Sequence, residues 1–350
     1  EVKELYQDKF LFPGDRETFV QQWLRDPDKR NYARMDFLPG RCPPTTYNLW
    51  KGYAAEGIDS AENGTIQPFL DLAEDLTGGN EKSLKYWLDW VAQLFQQPAV
   101  KPRTALIHVS KQGAGKDTVF WFIGQLMGNK LYFSTDDAEN HVFGRFSTAT
   151  EASKLVLLNE SSFSVNAKHE KKLLGLMTDP TRNVEHKGFP IRECANFSGI
   201  VMCSNSSICF KQPEDDRRTV QYEAIGKYCR DKQFFDGFRA WAAQPANQRA
   251  VYDFLMARDI DNVDWDADRP KTELYNQNRM VCLPLSVKWV EDLVVRNFPA
   301  QWVNQTIPTD ELLGHYSRFL PRTAERPKYL PFANMIKKLD GFLWDNSNST

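Results

Sequence analysis

Thr104-Ala-Leu-Ile-His-Val-Ser-Lys-Gln-Gly-Ala-Gly-Lys-Asp-Thr118 is the stretch that decides the fold class. Ala105–Val109 reads as a buried strand, a glycine-rich turn and Lys116 follow, and Val119–Met127 reads as a helix stopped at Gly128. Backbone N–H groups of such a turn cradle phosphate oxygens, and a lysine after the second glycine reaches the β- and γ-phosphates. The cradle would consist of Gln112, Gly113, Ala114, Gly115, Lys116, Asp117 and Thr118. Two positions depart from the pattern G-x-x-x-x-G-K-[ST]. Ser110 stands where the first glycine is expected, and Asp117 where a magnesium-binding hydroxyl is expected.

Working outward, the chain alternates between short apolar runs and helical periods. Upstream, 80–95 is a helix capped by Asn80, with Leu84, Trp87, Leu88, Val91, Leu94 and Phe95 on one face. Downstream, Leu131–Thr135, Lys154–Leu158 and Gly199–Cys203 read as strands, Lys168–Thr178 as a helix and Asn183–Cys194 as a hairpin. Continuous apolar strands separated by helices imply a parallel sheet covered on both faces, hence an α/β fold. Beyond Ile225 the chain turns helical and polar, and the Asp-rich run Asp259–Pro270 reads as a linker. This divides the chain into an N-terminal segment 1–79, a core 80–225, a helical extension and linker 226–270, and a C-terminal unit 271–350. A short helix over Arg16–Arg25 is expected in the first segment.

Bulk properties narrow the partners. With 350 residues, 41% hydrophobic content and a net charge of −2, the chain is globular and carries no global basic field. A nucleic-acid site would therefore be local, such as a loop or a pore. The six cysteines form no C-x-x-C pair, which points to free thiols in a reducing compartment. No signal peptide or membrane-length apolar run is present, so a soluble intracellular protein is expected. The chain opens without methionine, as a fragment of something longer would.

Three further clusters bear on chemistry. Leu155-Val-Leu-Leu-Asn159-Glu160 sets a polar residue and a carboxylate at a strand's C-terminal edge, where ligands bind in open α/β sheets. Glu160 either polarises an attacking water or merely caps the next segment. Val201-Met-Cys-Ser-Asn205 ends a third strand in an amide that forms a turn or touches a γ-phosphate. Asp216-Arg217-Arg218 is either a solvated charge cluster or an arginine finger for a neighbouring subunit's nucleotide.

The order of these elements resembles the superfamily 3 helicase core of the AAA+ class, and more narrowly the helicase module fused to primases in phages, plasmids and large DNA viruses. The residues that carry the resemblance are 112–118, 157–160, 172–178, 185–188, 203–205 and 216–218, flanked by Tyr47-Asn-Leu-Trp-Lys-Gly52 and by a winged-helix-like stretch at 311–342. The resemblance implies an AAA+-type P-loop NTPase core with a five-stranded parallel sheet, an N-terminal helical segment and a C-terminal helical or winged-helix-like region. It implies a homohexameric ring with ATP between subunits, single-stranded DNA in the channel, and a primase domain fused or associated. On it, Lys116 binds the β- and γ-phosphates, Glu160 activates the lytic water, Asn205 is the sensor, and Arg217 or Arg218 is the finger in trans. The hairpin at 183–190 would carry the pore loop, with Lys187 on the DNA phosphates and His186 or Phe189 against a sugar or base.

Asn159 replaces an acid often found beside Glu160, which leaves one carboxylate fewer for Mg²⁺. Asp117 then meets the ion directly or through water, or Thr118 takes the hydroxyl role, with Asn159 beside them. Magnesium-dependent nucleotide binding follows, because a carboxylate beside triphosphate is repelled unless the ion intervenes. Two other readings fit the glycine loop: a P-loop kinase of a small metabolite or nucleoside, and a replication-initiator scaffold that uses ATP only to assemble.

Overall fold

The computed structural model describes residues 18–59, 63–144, 148, 150–159, 167–188, 190–206, 216–303 and 305–338. Its elements in chain order begin with α1 (Phe19–Arg25), β1 (Arg34–Asp36), β2 (Thr46–Asn48), α2 (Gln67–Leu76), α3 (Glu81–Gln96), β3 (Ala105–Val109) and α4 (Lys116–Met127). They continue with β4 (Tyr132–Thr135), α5 (Ala138–His141), β5 (Leu155–Leu158), α6 (Ala167–Thr178), β6 (Thr181–Val184), β7 (Arg192–Ala195), β8 (Gly199–Ser204) and β9 (Thr219–Glu223). Last come α7 (Lys232–Ala242), α8 (Pro245–Met256), α9 (Glu273–Cys282), α10 (Leu285–Glu291), α11 (Thr309–Phe319) and α12 (Tyr329–Ile336).

Five strands form one parallel sheet in the order β4-β5-β8-β3-β9. Every residue of β3, β5 and β8 is buried, as a sheet covered on both faces requires. The pleat sorts the side chains with period two. Leu106, Leu155, Leu157, Val201, Cys203 and Tyr222 join α2, α3, α4, α7 and α8 in one cluster. Ile107, Val109, Val156, Leu158, Ile200 and Met202 join α5, α6 and α9 in a second on the opposite face. Burying each such aliphatic side chain contributes roughly 1.5–3 kcal/mol, so the central strands are the hardest part of the chain to displace.

The strand order creates the site. β3 connects leftward in that order to β4, while its neighbour β8 connects rightward across β3 to β9. Connections that leave neighbouring strands in opposite directions make a switch point, with a crevice outside the carboxyl ends of β3 and β8.

Expected and observed elements differ in three regions. β9 was not among the anticipated strands. Residues 226–270, expected as an extension and linker, pack into the main core through Phe235, Phe238, Trp241, Val251 and Leu255. Its Asp-rich end is anchored by the Trp265 carbonyl, which accepts from the Tyr86 hydroxyl (3.2 Å), and by the buried Arg269. Phe37, Tyr53, Ala55 and α2 likewise belong to the main core, so these described residues are continuous with the segment that follows residue 80. Residues 285–338 build a cluster of their own around Trp289, Trp302, Tyr316 and Phe332. Among its described residues this unit is helical and has no strand. The expected capping of α3 is present, with Asn80 Oδ1 accepting from Ser83 N at 3.0 Å.

At the amino ends of the strands lie two lysines, one buried and one half-buried. Lys154, with 0% exposure, donates to the carbonyls of Val100 and Phe197 at 2.9 and 3.0 Å, and Lys101 donates to that of Ser198 at 2.9 Å. Burial pulls the pKa of each ammonium down to about 7, with repulsion from Arg182 adding to it at Lys101 and repulsion from Lys101 adding to it at Lys154.

Candidate nucleotide site

The turn after β3 is built for close approach. Gly113 and Gly115 adopt φ of 88° and 92°, the left-handed region that glycine enters without steric cost. A Cβ on Gly115 would stand 2.6 Å from Phe235 Cε1, and one on Gly113 3.1 Å from Arg230 Cγ. The turn delivers the first N–H groups of α4 to a cavity of about 210 Å³, lined by the cradle residues 112–118 with Asn159, Cys203, Asn205, Phe235 and Arg239. A helix N-terminus with its free N–H groups favours an anion there.

Lys116 sits at the junction of β3 and β8, 8% exposed. Its Nζ donates to Ser110 Oγ at 2.8 Å and, each at 3.0 Å, to Ser110 O, Ser204 O and Asn205 Oδ1. The ammonium is thus aimed by the ends of two neighbouring strands. Ser110, one of the two departures from the glycine pattern, supplies two of the four acceptors. Asp117, exposed in the first turn of α4, and the half-buried Thr118 line the same cavity.

Asn159 lines the cavity from the end of β5, its N–H donating to Thr135 O (2.8 Å) and its Nδ2 to Ser134 Oγ (3.2 Å). Glu160 lies outside the described residues. The structure therefore brings Lys116, Asn205, Asn159, Asp117 and Thr118 together. Carboxylate, hydroxyl and amide oxygens are the hard donors Mg²⁺ prefers. Among the described residues, no group of three or more His, Cys, Asp or Glu could hold a metal by itself. An ion bridged by phosphates and waters fits this sparse set.

The roof of the cavity came from residues not anticipated as functional. After β9 the chain turns back over the cradle. Arg230, at φ 62°, donates its N–H to Gly113 O (2.9 Å), and Cys229 Sγ donates to Gln112 O (3.5 Å). This turn is anchored below by Asp75, whose Oδ1 accepts from Lys227 N at 2.8 Å. Burial raises the Asp75 carboxyl pKa, opposed by the N–H groups of Lys227 and Gly226. Phe235 and Arg239 then enter the cavity from α7, Arg239 also lying 3.4 Å from Asp236.

Arg217 and Arg218 stand elsewhere. Arg218 O accepts from Ala105 N at 2.8 Å, which sets the pair level with the start of β3. Five strand residues, about 16 Å, separate that level from the cradle of the same chain. Arg217 is exposed and Arg218 half-buried.

The hairpin β6–β7 pairs antiparallel, with Lys187 and Gly188 exposed at its tip, Gly188 at φ 85°. Phe189 lies outside the described residues. His186, anticipated as a DNA contact, is engaged beside the hairpin tip, its Nε2 2.7 Å from Glu151 Oε2. The other Glu151 oxygen pairs with Arg192, which also donates to Met35 O at 3.2 Å.

Comparison with known proteins adds the following. A family model described as a family of unknown function (DUF5906) matches residues 108–218. That range holds the cavity's lining residues apart from Phe235 and Arg239. The apo structure of the NrS-1 C terminal region (305–718) superposes with a TM-score of 0.64 at 17% identity, over 81% of this chain and 75% of that one. The A form apo structure of the same region gives 0.64 at 16% identity over the same shares. This likeness shows a shared fold. No curated protein matches the chain. No described helix is long and apolar enough to cross a membrane.

Proposed function

We propose that the chain is an ATP-hydrolysing motor of the superfamily 3 helicase kind, a P-loop NTPase that works as a ring on single-stranded DNA during replication. The observation that carries the reading is Lys116: a lysine aimed by two adjacent strand ends into a glycine cradle at a helix N-terminus. ATP would place its phosphates on the N–H groups of 113–118. Lys116 would exchange some of its present acceptors for the β- and γ-phosphate oxygens, and Asn205 would then be released to hold the γ-phosphate or the attacking water. Asp117 and Thr118 would hold Mg²⁺, which neutralises developing phosphate charge when bound. Glu160, next to Asn159, is assigned the polarisation of water.

The position of the arginine pair supports a multimer. From the opposite edge of the sheet, Arg217 and Arg218 are out of reach of their own cradle and available to that of a neighbouring copy. Arg217, the exposed one, is the better finger. Lys187 at the hairpin tip is assigned to DNA phosphates, with His186 holding the hairpin rather than the DNA. A kinase of small metabolites requires neither feature.

The test is ATPase activity with and without single-stranded DNA. Stimulation by DNA is expected, with Lys116→Ala and Glu160→Gln reducing turnover at least about a hundredfold. Particle images with ATP and DNA are expected to show a six-fold ring. Phosphate transfer to a small acceptor without DNA would move the assignment to a kinase, and ring formation without turnover to a scaffold.

A further inference from the structure

The arginine pair stands on a buried ionic platform. Asp216 and Arg269 are 6% and 8% exposed, with Arg269 Nη1 3.6 Å from Asp216 Oδ2. The Asp216 carboxylate accepts from Arg218 N (3.2 Å), Thr219 N (3.1 Å) and Thr219 Oγ1 (2.7 Å). From the other side, Arg269 donates Nη1 to Thr219 O and Nη2 to Asp216 O, both at 2.8 Å. The Tyr275 hydroxyl donates to Asp216 O as well, at 3.2 Å, and its ring packs 5.4 Å from the guanidinium. These contacts converge on Asp216 and Thr219, the residues on either side of Arg217 and Arg218.

Stability alone does not account for this arrangement, since well-packed apolar residues often replace a buried ion pair at no loss. What a planar guanidinium fork supplies is direction: it spans two carbonyls three residues apart and fixes the path of the chain between them. Arg269 and Tyr275 belong to the segment that ends the Asp-rich run and opens α9, remote in sequence from the cradle.

We infer that Arg269 is a positioning residue for the trans arginine: its fork, with the Tyr275 hydroxyl, holds 216–219 so that Arg217 projects toward the phosphate cavity of the next copy. The segment 269–275 is then the mechanical link between a subunit's C-terminal helices and hydrolysis in its neighbour. This rests on the ring-motor reading above and adds a residue that the reading does not contain.

Subunit mixing in the full chain tests it. Arg269→Ala is expected to lower kcat about tenfold or more with KM for ATP within about twofold, as misplacement of an otherwise intact group does. Arg269→Lys, which keeps the charge without the fork, is expected to fall between native and Arg269→Ala. Mixing Arg269→Ala with Lys116→Ala subunits, which still present native arginines, should restore turnover. Mixing it with the Arg217→Ala/Arg218→Ala double variant should not. A parallel loss of ATP affinity with no rescue by Lys116→Ala subunits would overturn the positioning role and leave a structural one. If Arg269→Ala does not fold, Tyr275→Phe decides: a roughly two- to fivefold kcat loss with the same rescue pattern supports the inference, and native kcat overturns it. Failure of Lys116→Ala subunits to rescue even the double arginine variant would instead remove the trans arrangement itself.

Discussion

Around Lys116 the two departures from the usual glycine pattern become chemically intelligible. Ser110 supplies carbonyl and hydroxyl acceptors that aim the ammonium. Asp117 occupies the first turn of α4, where a negative charge is favoured by the helix's free N–H groups but opposes a triphosphate. Asp117→Ser is therefore expected to bind ATP more tightly without Mg²⁺, shrinking the ratio of affinities with and without the ion in isothermal titration. An unchanged ratio would remove Asp117 from the metal site. Gly115→Ala meets both the left-handed backbone and Phe235. It is expected to cost about 1–3 kcal/mol in urea unfolding and to weaken ATP binding in the same preparation. At the hairpin tip, Lys187→Ala is expected to reduce the DNA-stimulated ATPase rate by more than the DNA-free rate, read at two salt concentrations, because a lost phosphate contact also lowers the salt dependence.

Among the elements, legibility followed how local the signal was. β3, β5 and β8 are continuous apolar runs, and the residues just past their ends, Ser110, Asn159 and Asn205, follow from strand direction alone. β9 has no such signature, because Thr219 and Gln221 are buried polar residues inside it. Their partners come from remote positions: Asn278 Nδ2 donates to Gln221 Oε1 at 2.6 Å, and Thr272 Oγ1 to Gln221 O at 2.6 Å. No local period encodes that satisfaction, and the same holds for Phe235 and Arg239, which reach the cavity from a helix the sequence presents only as polar and helical. Gln221→Leu is expected to destabilise by about 1–3 kcal/mol in urea, because it strands the Asn278 amide. The double variant Gln221→Leu/Asn278→Leu should recover part of that loss, since it no longer leaves the Asn278 amide without its Gln221 acceptor. A double variant no better than the single one would place the cost in packing instead.

For the molecule as a whole, the neighbouring lysines Lys101 and Lys154 set a pH dependence. Folded, each gives up its proton near pH 7, whereas the unfolded chain holds it to about 10.5. Between those values the unfolded state binds more protons, so stability rises with pH, and below about 7 the full cost of the buried charges is present. Urea midpoints are therefore expected to increase from pH 7 to pH 9, and to increase less in Lys154→Met. Equal slopes in the two proteins would show that Lys154 keeps its proton in the folded chain across that range. The last consequence concerns the two edges of the sheet, one bearing the cradle and the other the arginines. A proposed donor and acceptor on opposite edges, repeated from copy to copy as the ring reading requires, call for heterologous, head-to-tail association. Such an interface has no intrinsic stopping point. Only the angle between successive copies decides whether the series closes on itself or runs on as an open helix, so small changes at that interface should convert closed particles into filaments rather than into dimers.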